Sequence, residues 1–151
     1  MSVSKYVSNV KIIPQNVEVV FDHLSDFGNL ARYLNQDVLS AISEKVPQFR
    51  IQNFESDHDS CRFEIGSFGP AEIRITDRSP FQTIKIESSE GLPAGLKFWI
   101  QLLPVEPYKT KLRLTLHVEM GFMVRMLAGD KLEKGIDQLA DALALLPYRP
   151  V

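Results

Sequence analysis

From Phe49 onward the chain alternates apolar and polar residues with a period of two. The apolar positions are Phe49 and Ile51, then Cys61, Phe63 and Ile65, then Ala71, Ile73 and Ile75, then Ile84 and Ile86. Successive strand residues point to opposite faces, so each run predicts a strand with one buried side. Turn-forming residues occupy the gaps at 56–60, 66–70, 77–80 and 88–95. Strands this close, joined by short loops, predict a meander of hairpins. Two longer strands follow, Leu96-Phe98-Ile100-Leu102 and Leu112-Leu114-Leu116-Val118-Met120, separated by residues 104–110.

The flanks have a different rhythm. Tyr6, Val7, Val10, Ile12 and Ile13 predict a first strand over 5–13, stopped by Pro14, a residue well tolerated in the first turn of a helix. Val17, Val20, Phe21 and Leu24 then keep helical spacing, Ser25-Asp26 interrupts, and Phe27, Leu30 and Leu34 resume it, which predicts two short helices meeting at a bend. Val38, Leu39, Ile42 and Val46 suggest a third helical turn or a loop, ended by Pro47. From 122 to about 146 a long helix is predicted, with Leu132, Ile136, Leu139, Leu143 and Leu146 as its apolar stripe. Pro147 and Pro150 bracket a short tail, Tyr148-Arg149.

This order of elements, with Ile12-Ile13-Pro14-Gln15-Asn16-Val17, the Leu24-Ser25-Asp26 bend and the helix around Gly129-Asp130-Lys131-Leu132, resembles the START-like (SRPBCC) superfamily. That superfamily includes pollen-allergen, polyketide-cyclase and lipid-transfer families. The resemblance implies an α+β helix-grip fold in a single domain over 1–151. A curved seven-stranded antiparallel sheet would wrap around the C-terminal helix, with two short helices between strands one and two. It also implies a cavity between sheet and helix, used in the superfamily for hydrophobic ligands.

Composition narrows the partners. Seventeen basic residues against nineteen acidic ones give a net charge of −2, too balanced for the positive field that nucleic acid or an anionic membrane rewards, except in a local patch. Cys61 is the only cysteine, so neither an intramolecular disulfide nor a thiolate metal cluster is expected, and a reducing, cytoplasmic setting fits. The opening residues lack a secretory pattern, and no run is long enough to cross a bilayer.

Catalytic chemistry finds little support. His23, His58 and His117 have no second ligand at a metal-binding spacing, and no metal or cofactor is expected. Asp57-His58-Asp59 reads as a solvated turn. His117 shares a strand face with Lys111, Arg113, Thr115 and Glu119, outside the cavity. His23 is expected to be exposed, since Val20, Phe21, Leu24 and Phe27 already form the apolar stripe of that segment. Cys61 alternates with Phe63 and Ile65 and reads as a small buried residue. Glu64, Glu72, Glu87 and Glu119 fall opposite the apolar face, so no carboxylate pair points inward.

What remains is an apolar lining. From the sheet come Phe63, Ile65, Ile73, Ile75, Ile84, Ile86, Phe98, Ile100, Leu112, Leu114, Leu116 and Val118, joined near the helix by Met123, Met126, Leu127 and Leu132. The resemblance puts Tyr33, Arg125 and Asp130 at the mouth as polar groups able to orient a ligand. Such walls suit a lipid, quinone, terpenoid or polyketide-like molecule, and the chain reads as a binding or carrier protein. A cofactor-independent cyclase or hydratase using the same pocket is one alternative. Another is an interaction module whose core is filled, with an outer patch at Trp99 or at the Tyr148 tail, because the same residues would pack solidly if the helix lay flat on the sheet. Neither nucleic acid nor stable membrane insertion is expected.

Overall fold

The computed structural model describes residues 2–30, 51–65, 69–88, 95–120, 122–146 and 148, with backbone alone over 122–131 and at several strand ends. Strands β1 (Ser2–Val7) and β2 (Lys11–Ile13) lead into helices α1 (Val17–Leu24) and α2 (Phe27–Leu30). Strands β3 (Ile51–Ser56), β4 (Ser60–Ile65), β5 (Gly69–Ser79), β6 (Thr83–Ser88), β7 (Leu96–Glu106) and β8 (Lys109–Met120) follow, and helix α3 (Phe122–Ala144) comes last. The sheet is antiparallel in the order β1-β8-β7-β6-β5-β4-β3, with β2 pairing β8 beyond the end of β1. The predicted helix-grip architecture is therefore observed: the meander crosses from β3 to β8, and the first strand returns to pair with the last.

The first strand is interrupted where the sequence predicts continuity. Ser8 exchanges two bonds with Leu114: its N–H donates to the Leu114 carbonyl, and its Oγ, standing in for a strand carbonyl, accepts the Leu114 N–H, both at 2.9 Å. Asn9 turns toward α3 instead, donating its N–H to Asp137 Oδ1 at 2.7 Å and its Nδ2 to Asp137 Oδ2 at 3.2 Å. Lys11 Nζ meets Asp141 one helical turn further on, at 2.8 Å. The break in the strand is thus the point where the helix is fastened to the sheet. Counting β1 and β2 as one interrupted edge gives the seven strands expected.

Other boundaries move for local reasons. β5 runs through the predicted turn as far as Ser79, with its register shifting between Ile75 and Asp77, and the chain reverses at Pro80-Phe81-Gln82 instead. Likewise β7 and β8 extend through most of the predicted 104–110 loop and leave only Pro107-Tyr108 as the turn. At α1 the Asn16 side chain accepts the Glu18 N–H at 2.8 Å, satisfying one of the unpaired donors at the helix start. The predicted segment over 36–47 lies outside the described residues.

Helix α3 corrects the predicted stripe. Leu132, Ile136 and Leu143 pack on the core as expected, but Leu139 is 43% exposed and Ala140 is fully buried. The helix contacts β8, β1 and β2, and the small Ala140, not Leu139, takes the buried position between Asp137 and Asp141, which bind Asn9 and Lys11. The tail corrects two further expectations. Tyr148 is buried, donates its hydroxyl to the Leu143 carbonyl at 2.6 Å and sets its ring edge-on to that of His23, 5.7 Å away. Gln15 Nε2 reaches the Tyr148 carbonyl at 3.2 Å. His23 is consequently buried, not exposed, and the tail tyrosine is not available as an outer docking patch.

Candidate functional site

Cross-strand register sorts the inward-facing residues into rows. Ile84, Ile100 and Leu114 face one another across β6, β7 and β8, and all three are buried. On the hairpin side of this row, Leu102 pairs with Leu112, and Ile13 pairs with a buried Thr110, whose hydroxyl donates to the Gln15 carbonyl at 2.8 Å. Val20 and Leu24 of α1 are fully buried members of the same core. This end is closed.

Toward the other end the packing loosens. The next row joins Ile75, Ile86, Phe98, Leu116 and Tyr6, and the one beyond it holds Cys61 beside Ile73, with Leu96, Val118 and Ser4 further across the sheet. Phe63 pairs with Ala71 in the following row. Ile75, Ile86, Leu116 and Val118 are buried, whereas Phe98, Ile73, Phe63, Leu96, Tyr6 and Leu132 of α3 pack against the core while staying partly exposed. The candidate site is this apolar, incompletely covered area of the inner face, which runs from β4 and β5 across to β8 and β1.

One polar atom is out of place there. Ser4 Oγ, in the row of Val118 and Leu96, is buried and has no hydrogen-bond partner among the described residues. A hydroxyl without a partner in an apolar environment costs about 1–3 kcal/mol. Sequence periodicity does not single out Ser4 and Tyr6 as site residues, whereas Leu96 shares a face with Phe98 and Ile100 by alternation alone. Ser4 and Tyr6 are placed on the inner face by the observed register of β1 with β8, since an edge strand that mixes Ser2, Ser4 and Lys5 with its apolar residues carries little periodic signal. Of the other predicted site residues, Ile65 lies in β4 and Met123, Arg125, Met126, Leu127 and Asp130 in α3, but their side chains, like all of Tyr33, lie outside the described residues.

Among the described residues, Cys61 is unreactive and His58 and His117 lie off the inner face. Burial pushes the Cys61 thiol up to about 12, which leaves negligible thiolate at neutral pH. His117 packs against Trp99 on the outer face, ring centroids 4.6 Å apart, with Lys85 Nζ 5.7 Å over the indole. Burial, together with Lys5 and Lys97, lowers the His117 pKa. The exposed 57–59 turn is also a clasp. His58 Nδ1 lies 3.0 Å from Asp26 Oδ2, Arg78 pairs with Asp59 at 2.8 Å, and Arg78 Nε donates to the Ser25 carbonyl at 2.9 Å. Turn, α1–α2 bend and β5 are tied together there. Among the described residues no cluster of three metal-ligating side chains forms, and no helix is long and apolar enough to cross a membrane.

No protein-family model and no curated protein matches the chain. Solved structures do. Norcoclaurine synthase from Thalictrum flavum, in complex with dopamine and hydroxybenzaldehyde, superposes with a TM-score of 0.62 at 10% identity, over 95% of this chain and 85% of that one. A protein from Thermus thermophilus gives 0.60 at 18% identity over 93% and 94% of the two chains. An Aha1 dimer from Colwellia psychrerythraea gives 0.56 at 18% identity over 94% and 97%. At these identities the likeness is one of fold.

Proposed function

We propose that this chain, which has the helix-grip fold of the START-like superfamily, binds an apolar small molecule between the inner face of its sheet and α3, as a carrier or binding protein. The gradient of burial carries the reading. The inner sheet face is apolar but for Ser4 and Thr110, its hairpin end is sealed, and beyond it Phe98, Ile73, Phe63, Leu96 and Tyr6 keep accessible surface on the side that should be core. Covering that surface with an apolar guest would contribute about 25 cal/mol per Å² removed from water. Such walls discriminate by volume more than by chemistry, so a lipid, quinone, terpenoid or polyketide-like molecule fits the reading equally.

Native mass spectrometry on protein purified from its own host, followed by organic extraction, tests the proposal. A stoichiometric adduct that Ile73→Phe or Ser4→Leu weakens, with folding intact, supports it. A clean apo mass with no uptake from a lipid extract overturns it.

A second use of the same space, as a cofactor-independent cyclase or hydratase, draws on the norcoclaurine synthase complex, which shows that this fold can hold two small aromatic molecules. That reading requires Tyr33, Arg125 and Asp130 to converge in the pocket. Conversion of a bound aromatic substrate, abolished by Asp130→Asn, would favour it over carriage.

A further inference from the structure

The outer side of the β7–β8 hairpin and β2 departs from the rest of the surface. Ile12, Lys111 and Leu103 form one cross-strand row on the face turned away from the core. Leu103 is 60% exposed and the hairpin-tip Tyr108 74%, with Val10, Ile12 and Val105 also exposed. A groove of about 240 Å³ runs between Val10 and Leu103 and is flanked by Lys111 and Arg113.

The charges here are one-sided. Lys109, Lys111 and Arg113 are all exposed, while Glu106, which pairs with Lys109 across the hairpin, is the carboxylate among them. Lys11 of β2 is already held by Asp141. In a chain of net charge −2, this end is a basic patch with exposed apolar side chains between its cations.

We infer that this hairpin end docks on an anionic lipid surface, with Leu103, Ile12 and Tyr108 at the acyl boundary and Lys109, Lys111 and Arg113 against the headgroup phosphates. Complementary charge selects the partner, since basic residues beside an anionic leaflet each strengthen binding about fivefold. A second copy fits poorly, because a two-fold contact would press these cations against themselves. Protein interfaces gather aromatic anchors in a desolvated centre with a polar rim, whereas here apolar and cationic side chains alternate along the strands, as a surface of mixed phosphate and hydrocarbon requires. The docking end lies behind the sealed rows of Leu112 and Ile13, so the partly exposed area around Phe98 and Ile73 would face away from the membrane. Docking in this orientation requires no ligand in that area.

Vesicle flotation with the full chain tests it, comparing pure phosphatidylcholine with a phosphatidylcholine–phosphatidylglycerol mixture. Binding to the mixed vesicles, weakened by salt and weak on the neutral ones, is expected. Lys111→Glu should reduce it at least about fivefold, and Leu103→Asp should reduce it comparably. Lys134→Glu, exposed on α3, should leave it unchanged, with thermal melts confirming that all three variants fold. Equal binding to both vesicles, no binding to either, or an equal loss with Lys134→Glu would overturn the inference. Capture by soluble polyglutamate without vesicle binding would also overturn it and replace the membrane with an acidic protein.

Discussion

Single side chains report on their surroundings through chemistry that can be titrated. The Cys61 thiol, pushed up to about 12 by burial, is expected to resist iodoacetamide in the native protein at about pH 8 and to react fully once the chain is unfolded in urea, as intact mass would show. Rapid native labelling would mean that β4 opens readily. Asp26 behaves in the opposite sense. Burial alone would raise its pKa, but hydrogen bonds from His58 and from the Gly28 and Asn29 backbones outweigh that and hold the carboxyl below the ordinary carboxylate value. A carboxylate with a lowered folded-state pKa stabilises the fold above its unfolded pKa, about 3.9, and loses that contribution as pH falls through the folded value. Asp26→Asn should therefore lower the urea midpoint at neutral pH by the equivalent of about 1 kcal/mol or less for so accessible a pair. The gap to the natural sequence should narrow as pH falls below the unfolded value of about 3.9. A constant gap at all pH values would assign the effect to geometry, not charge.

Among the elements, α3 shows how far a hydrophobic pattern reaches. Its existence and extent are legible from Leu132, Ile136 and Leu143, because a large apolar residue on every turn is the mark of a helix with one buried face. Its rotation is not, because leucine alone does not mark burial: Leu139 is exposed while the neighbouring Ala140 is fully buried. Leu139→Lys is accordingly expected to change stability by no more than about 0.5 kcal/mol, while Ala140→Leu should cost about 1–3 kcal/mol by overpacking; chemical denaturation distinguishes the two. The reverse order of effects would restore the leucine stripe. The strands are legible for a parallel reason: period-two alternation from Cys61 to Met120 leaves one face apolar whatever the partners. What alternation cannot supply is register, and register decides that Ser4 and Tyr6 join Phe98 and Ile73 in the candidate site. The same gap explains His23 and Tyr148, each polar enough to suggest exposure, each buried by contact with a segment more than a hundred residues away.

On the scale of the whole molecule, β1 and β2 have one strand partner among the described residues, β8, and the break between them is held by α3. Pairings between distant segments bear a large loop-closure entropy before any contact rewards it, so folding should be slow for a domain of this size, in the range of milliseconds to seconds, as stopped-flow refolding would measure. Asp137→Ala, which removes the acceptor for the Asn9 N–H, is expected to speed amide exchange over residues 8–13 without altering exchange at Ile84 or Ile100. Equal acceleration everywhere would indicate that the helix is fastened elsewhere. The same topology sets a timetable on the ribosome. β1 and β2 emerge first, yet neither has a mate until β8 follows, a wait of roughly 5–20 s at ordinary synthesis rates. Through that interval Val3, Val7 and Ile12 travel on an unpaired edge. The meander from β3 to β7 can assemble meanwhile, so the nascent chain passes through an open sheet that needs shielding from its neighbours until its first strand is enclosed.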